Sequence, residues 1–421
     1  MRIALTLCLS VATAANAAPE RTLRPSVRPP AVTVAAAVAP LARTYARVPD
    51  AGFDAWVRRF RGRALGQGVS AATFDAAFAD AGFIPDSIAL DRNQAEFVKP
   101  LADYMATAAS DTRVATGRAM LVQYGSLLDR IEAKYGVDRQ VVLAVWGMES
   151  NFGARRGAVP LISTLATLAY EGRRGRFFEG QLVAALQILQ RGDTTPARMT
   201  GSWAGAMGHT QFMPTSYAAY AVDFTGDGRR DVWSDDPSDA LASTAAYLSH
   251  FGWTTGQPWG VEVRLPEGFD YGLTARRVTQ SAADWAALGV TGADGRAVPG
   301  HGPASLITPT GAGGPAFLVF GNYDVIRRYN NAEAYIIGVG HLGDRIAGAG
   351  PLSHPFPPGE RGLTRAERVE LQQRLTDAGF GTGGADGKIG PATRRAIRAY
   401  QARAGLPQDG HAGVALLQRL R

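Results

Sequence analysis

The chain has 421 residues, 46% of them hydrophobic, with a single cysteine and a formal charge of +7. That length is enough for two or three domains with well-buried cores, and one cysteine excludes a disulfide framework. The cationic surplus suits a polyanionic partner, yet charge alone does not choose among nucleic acid, a wall polymer and a membrane surface.

The N-terminus carries Arg2, a short apolar stretch from Ile3 to Ala15, and then Ala15-Asn16-Ala17. A basic start, a short apolar region and a small-x-small site predict a secretory signal peptide over residues 1–17, cleaved near Ala17. The stretch is too short to span a bilayer. Nothing downstream reaches the roughly 18 uninterrupted apolar residues of a membrane helix, so no transmembrane segment is expected. Export to the periplasm turns the positive charge towards an anionic wall or membrane surface and away from nucleic acid. Cys8 lies inside the apolar region and follows Leu5-Thr6-Leu7 rather than a Leu-small-small run, which argues against a lipid anchor.

Residues 18–47 are rich in Ala, Pro, Arg and Val without periodicity and read as a flexible tether. From Gly52 the pattern turns helical: Phe53, Trp56, Val57 and Phe60 recur at helical spacing, as do Phe74, Ala77, Phe78 and Ala81. Leu127, Leu128 and Ile131 lead to a helix stop at Tyr135-Gly136. A mainly α-helical domain over residues 48–345 follows, with a small β or irregular insertion around 260–320, where Val261–Leu265 and Ala316–Phe320 are β-like. Glycines and prolines over 346–362 predict a linker. Residues 363–421 form a separate three-helix module. Thr364 and Glu367 make a capping box, Pro391 suits a first helical turn, and Val414, Leu417 and Leu420 share a face.

Val141-Val142-Leu143-Ala144-Val145-Trp146-Gly147-Met148 is apolar throughout and ends at Glu149. A helix that is apolar all round is buried, so Glu149 is expected at the end of a buried helix, with Gly153 as its cap. Burial and the negative end of the helix dipole both raise a carboxyl pKa, as a general acid requires. A glutamate paired with Arg155 or Arg156 would satisfy the same sequence. The stretch Gly201–Pro214 is glycine-rich and offers Ser202 and Gln211 as hydrogen-bonding groups; alone, it suits phosphate as well as sugar.

Together, Glu149-Ser150-Asn151-Phe152-Gly153, Gly205-Ala206-Met207-Gly208 and Gln211-Phe212-Met213-Pro214-Thr215-Ser216-Tyr217 resemble the lytic murein transglycosylase B family over about residues 50–345. The resemblance implies a lysozyme-like helical fold and cleavage of the MurNAc–GlcNAc β-1,4 bond of peptidoglycan without water, leaving 1,6-anhydro ends. It makes Glu149 the catalytic acid and then base, and places Ser202 and Gln211 near the scissile bond. It also assigns Arg173 and Arg174 to the peptide-bearing glycan, and Tyr104, Tyr247, Tyr329, Asn330 and Tyr335 to saccharide binding. A hydrolytic muramidase or a non-catalytic wall-binding scaffold would use the same fold. The module around Asp386-Gly387, Gly390-Pro391 and Ala399-Tyr400-Gln401 resembles a peptidoglycan-binding domain.

Asp223-Phe224-Thr225-Gly226-Asp227-Gly228-Arg229 matches the first part of an EF-hand loop, with Asp223, Thr225, Asp227 and Arg229 at alternating positions and a glycine at the sixth. The match breaks at the twelfth position, Ser234. The resemblance implies closure by a later aspartate, Asp239, with Asp235 and Asp236 as competitors; a metal-free Asp/Gly turn has the same residues. A Ca2+ here would be structural, and catalysis would require no cofactor.

Overall fold

A computed structural model of the chain describes residues 45–92, 99–274 and 276–421. The expected signal peptide, and the tether up to residue 44, lie outside the described residues.

The architecture is mainly α-helical, as the periodicity implies. The helix Arg139–Ser150 lies at its centre and packs on Glu333–Ile346, Asp111–Gln123, Ser238–His250 and Gly125–Tyr135. Its residues Val141 to Gly147 are all buried, which is why the segment has no polar face. Glycines in Glu333–Ile346 let its neighbours approach closely: a Cβ at Gly340 would lie 2.3 Å from the Trp259 ring. Leu161–Glu171 and Gly175–Arg191 form a second helix pair, joined through Gly172 at φ 91. Among the described residues no helix is long and apolar enough to cross a membrane.

The insertion is more regular than its sequence suggests. Thr291–Gly292, Gly260–Arg264, Ala316–Val319 and Ser305–Ile307 form, in that spatial order, an antiparallel four-stranded sheet. It has its own core of Val263, Trp285, Leu306, Leu318 and Phe320, and the buried Trp285 indole donates to Ala304 O at 3.0 Å.

The C-terminal module comprises Arg365–Asp377, Pro391–Arg403 and Val414–Leu420 around Leu371, Leu375, Ile397 and Leu417. Both sides of the Thr364–Glu367 capping box form, and Pro391 occupies the first turn of its helix. The segment expected as a linker is pinned at both ends. Glu262 accepts hydrogen bonds from Ser353 N (2.8 Å) and His354 N (2.7 Å), and Phe356 enters the main core. Further on, the buried Glu360 accepts from Val414 N (2.9 Å) and Ala415 N (3.2 Å), capping the final helix from a distance.

Candidate active site

Glu149 stands half-buried one residue before the end of its helix. The expected cap, Gly153, is not where the helix stops. Asn151 takes that place at φ 50, and Phe152 (φ 57) and Gly153 (φ 85) continue in the left-handed region. Asn151 N reaches back to Gly147 O (3.1 Å) and Phe152 N to Trp146 O (3.3 Å), which uses the last carbonyls of the helix. A phenylalanine at positive φ costs about 1–2 kcal/mol. Burial offsets it: the ring is 9% exposed and packs edge-on against Trp146 at 5.8 Å. A Cβ at Gly147 would fall 2.6 Å from that ring, so the glycine two residues before Glu149 is required by the turn after it.

Tyr335 donates its hydroxyl to Glu149 Oε1 at 2.6 Å. Burial first, and the adjacent Glu149 carboxylate second, push the phenols of Tyr335 and Tyr329 well above their ordinary value, so both stay protonated donors. Tyr329 donates to Thr210 O at 2.6 Å, which ties it to the glycine-rich loop. The Tyr104 ring lies beside Gly338 and Met148 and acts electrostatically on Tyr335, so it belongs to the same surroundings. Tyr247 is placed differently: its hydroxyl donates to Arg328 O (2.6 Å), and its buried ring supports Tyr329 at 5.1 Å. Asn330 is exposed, and its Oδ1 accepts from Ala332 N (3.0 Å) in the turn between two helices.

The loop 201–214 is folded back tightly. Ser202 N donates to Ala206 O (2.8 Å), and Ala206 N donates to Ser202 Oγ (3.1 Å). Val159–Pro160 pairs with Thr200–Gly201, which brings this turn to the segment leaving the Glu149 helix. Cβ atoms at Gly157, Gly201 and Gly208 would each meet backbone within 2.3 Å, so the glycines permit a close approach of chain to chain. Gln211, at φ 54, donates its amide to Arg156 O (3.0 Å) and Gly208 O (2.8 Å). Both N–H groups are thereby engaged, and its carbonyl oxygen remains the acceptor.

One residue of this loop carried no sequence signal. Ser150 Oγ donates to His209 O (2.5 Å), Trp146 Nε1 donates to His209 Nδ1 (3.1 Å), and His209 Nε2 lies 2.8 Å from Ser234 O. Burial pushes the imidazole below its usual range, which suits the neutral ring with the proton on Nε2. His209 thus bonds the last turn of the Glu149 helix to the loop. It occupies an unremarkable position within the Gly-rich motif, and only the folded chain gives it partners. Arg156, which offered itself as a partner for Glu149, instead pairs with Asp235 at 2.7 Å and donates to Ser234 O.

Arg173 and Arg174 follow the turn after Leu161–Glu171. Arg173 bonds the buried Asp91 carboxylate through Nε (3.0 Å) and Nη2, while Arg174 lies 3.6 Å from the same group and 4.5 Å over the Phe177 ring. Asp91 sets their orientation.

The Asp/Gly loop brings Asp223, Asp227 and Asp239 together, with carboxylate oxygens within 4.8 Å of one another. Asp239 accepts from Phe224 N (2.8 Å), Thr225 N (3.1 Å) and Asp231 N (2.9 Å); burial and then, less strongly, Asp223 raise its pKa. Thr225 Oγ1 lies 3.3 Å from Asp223 Oδ1, whereas Arg229 takes part through its backbone N–H, which donates to Asp227 (2.9 Å). The competitors are occupied elsewhere: Asp235 holds Arg156, and Asp236 accepts from Ser238. Three converging carboxylates fit a hard divalent cation.

The family described as "Transglycosylase SLT domain" matches residues 52–344, and one described as a peptidoglycan binding domain matches 364–420. The chain is 34% identical over 232 residues to the membrane-bound lytic murein transglycosylase B of Escherichia coli K12, covering 53% of this chain and 61% of that protein. It is 48% identical to SltB3 from Pseudomonas aeruginosa, solved in complex with NAG-anhNAM-pentapeptide, with a TM-score of 0.82 over 88% of this chain and all of that one. The E. coli lytic transglycosylase Slt35 in complex with calcium matches at 29% identity and a TM-score of 0.59, over 69% of this chain and 92% of that one. The central helix, the small sheets and the loop around Gln211 are therefore those of a known fold, and the chain belongs to the transglycosylase SLT domain family, which includes the lytic murein transglycosylases.

Proposed function

We propose that this chain is a lytic transglycosylase that cleaves the MurNAc–GlcNAc β-1,4 bond of peptidoglycan and leaves 1,6-anhydro-MurNAc ends. The observation that carries this reading is the Tyr335–Glu149 bond of 2.6 Å, in a chain that matches the transglycosylase family. It holds a half-buried carboxyl at a helix end, among tyrosines that stay protonated. Glu149 gives its proton to the glycosidic oxygen, the C1–O4 bond breaks, and the GlcNAc side leaves as an alcohol. The Glu149 carboxylate then takes the proton of the sugar's own 6-hydroxyl as O6 bonds to C1. Ordinary glycosidases need a second carboxyl group to activate water or attack C1. Here the nucleophile is in the substrate, so one carboxyl serves as acid and then base.

Ser202, Gln211, Tyr104 and Tyr329 would position the saccharide, with Tyr247 and Asn330 supporting them, while Tyr335, assigned to the saccharide by the resemblance, would act through Glu149 by orienting its carboxyl; Arg173 and Arg174 would meet its peptide-bearing part. Asp223, Asp227 and Asp239 would hold a structural Ca2+ that neutralises three close carboxylates, with no part in the chemistry. The C-terminal module would keep the enzyme on the wall. The N-terminal sequence supports export to the periplasm.

The test is mass spectrometry of products from digested sacculi. Anhydro-MurNAc ends are expected. Products carrying water in place of the anhydro ring would make the protein a hydrolytic muramidase.

A further inference from the structure

His209 is held at every polar atom by segments around Glu149. It is 3% exposed, its N–H donates to Val232 O (3.1 Å), and its carbonyl accepts from Ser150 Oγ (2.5 Å). The ring lies where Gly153 leaves room, since a Cβ there would fall 2.7 Å from Nδ1 and Cε1. The two partners of the ring stand on different segments. Trp146 is on the Glu149 helix, one turn before the carboxyl, and Ser234 follows the Asp/Gly loop. Gln211 is two residues further along the loop that His209 belongs to.

The chemistry of these partners fixes the state of the ring. An indole nitrogen only donates, so Nδ1, 3.1 Å from Trp146 Nε1, has to be bare. A carbonyl oxygen only accepts, so Nε2, 2.8 Å from Ser234 O, carries the proton. Arg156 Nη1 donates to the same carbonyl at 2.6 Å and lies 3.3 Å from Nε2. A second proton would set a ring N–H against the N–H of Trp146 and a cation beside the Arg156 guanidinium. The charged groups acting on the ring are Arg156, Asp235 and Asp236, and the two aspartates favour the cation. Both are exposed, and Asp235 already holds Arg156, so water screens their effect. Burial outweighs them and disfavours the charged ring.

We propose that His209 is a positioning residue for glycan cleavage: its neutral ring clasps the loop of Gln211 to the Glu149 helix, and a proton on Nδ1 opens the clasp. The role rests on the lytic transglycosylase reading. In that reaction Glu149 begins each turnover protonated and regains its proton at the end, so acid does not disarm it. A fall of kcat at acid pH therefore has to come from another group, and the clasp supplies one. KM stays level, because the buried ring meets no sugar.

The full chain tests this by turnover of soluble glycan fragments from about pH 4 to about pH 8, with circular dichroism marking where each protein stays folded. For folded wild type, kcat is expected to fall at a pH below 6.5 while KM stays level. His209→Asn keeps an acceptor near the Nδ1 position and does not titrate. Its kcat at neutral pH should be about 3- to 10-fold lower, with KM unchanged and the acid fall gone. His209→Gln, which keeps a donor near the Nε2 position, is expected to behave alike and serves if the first variant does not fold. Nitrogen-15 spectra of the wild-type histidine rings, with His209 assigned by its absence from either variant, read the clasp without turnover. A bare Nδ1 at neutral pH is expected, with a Trp146 indole N–H resonance that moves as the ring titrates. A ring protonated on Nδ1 at neutral pH overturns the proposal, as does a ring that stays neutral until the chain unfolds. An acid fall that survives in both variants also overturns it, and the enzymatic reading then stands. Wild type that shows the clasp in its spectra yet cuts no glycan at any pH overturns the enzymatic reading and, with it, the catalytic role of His209, while the clasp itself remains as a structural bond.

Discussion

Tyr335 donates a 2.6 Å hydrogen bond to Glu149 across 186 residues of chain, joining the ends of two helices that pack along each other. The phenol is 5% exposed, so no water can replace it without opening the core. Tyr335→Phe keeps the ring and removes the donor. It is expected to lower kcat about 10- to 100-fold with little change in KM, since the carboxyl loses its orientation and not its substrate. The stability cost should be about 1 kcal/mol. Steady-state turnover of soluble glycan fragments and a urea titration check the two parts.

Glu149→Gln preserves shape and removes the transferable proton. Turnover should fall by about 10²–10⁴-fold or more, while binding of the full chain to purified sacculi persists. Co-sedimentation and release of soluble fragments, on one preparation, separate the two. Cleavage at the wild-type rate would remove Glu149 from the reaction.

The metal loop allows cation binding to be distinguished from turn structure. Asp239 accepts three backbone N–H groups, so Asp239→Asn should destabilise the fold by about 1–3 kcal/mol even with a chelator present. Asp227 accepts only from Arg229 N among the described residues, so Asp227→Asn should leave the chelated protein nearly unchanged. Millimolar Ca2+ is expected to raise the melting temperature of wild type by several degrees and that of Asp227→Asn far less. Equal shifts in both would rule out this carboxylate as a ligand.

Two groups on the helix Glu333–Ile346 should make stability depend on pH in opposite directions. Burial, and then Arg345, lower the His341 pKa from 6.5 to about 4. Between these values the unfolded chain binds the proton and the folded one does not, so stability is lost as pH falls from 6.5 towards 4, by about 3 kcal/mol at most. Burial raises the Asp344 pKa from 3.8 to about 6, partly offset by its bond from Trp259 Nε1. There the folded chain holds the extra proton, so stability rises as pH falls from 6 towards 3.8. Asp344→Asn removes the second effect. Its unfolding free energy should therefore fall more steeply than that of wild type between pH 6.5 and 4, measured by denaturant titration at several pH values.

What the sequence settled on its own was local. The run from Val141 to Gly147 has no polar side chain, so it had to be buried, and Glu149 had to stand where that burial ends. The Thr364–Glu367 capping box and Pro391 were legible because a helix end is satisfied by residues within one turn. The motifs around Glu149 and Gln211 identified the family for the same reason: close backbone approach demands particular small residues in a fixed order.

The remainder was decided by contacts between distant segments. Spacing could not say that Asp239, and not Asp235 or Asp236, would join Asp223 and Asp227, because that depends on Arg156 and Ser238 engaging the other two. Nor could it give His209 its partners, or show that Glu262 and Glu360 would pin the segment expected as a linker. The family resemblance marked Tyr247 and Tyr335 alike as saccharide-binding positions. Packing turned one hydroxyl to Arg328 O and the other to Glu149, because a buried hydroxyl must bond whichever acceptor the fold brings within reach, and that acceptor is chosen in three dimensions.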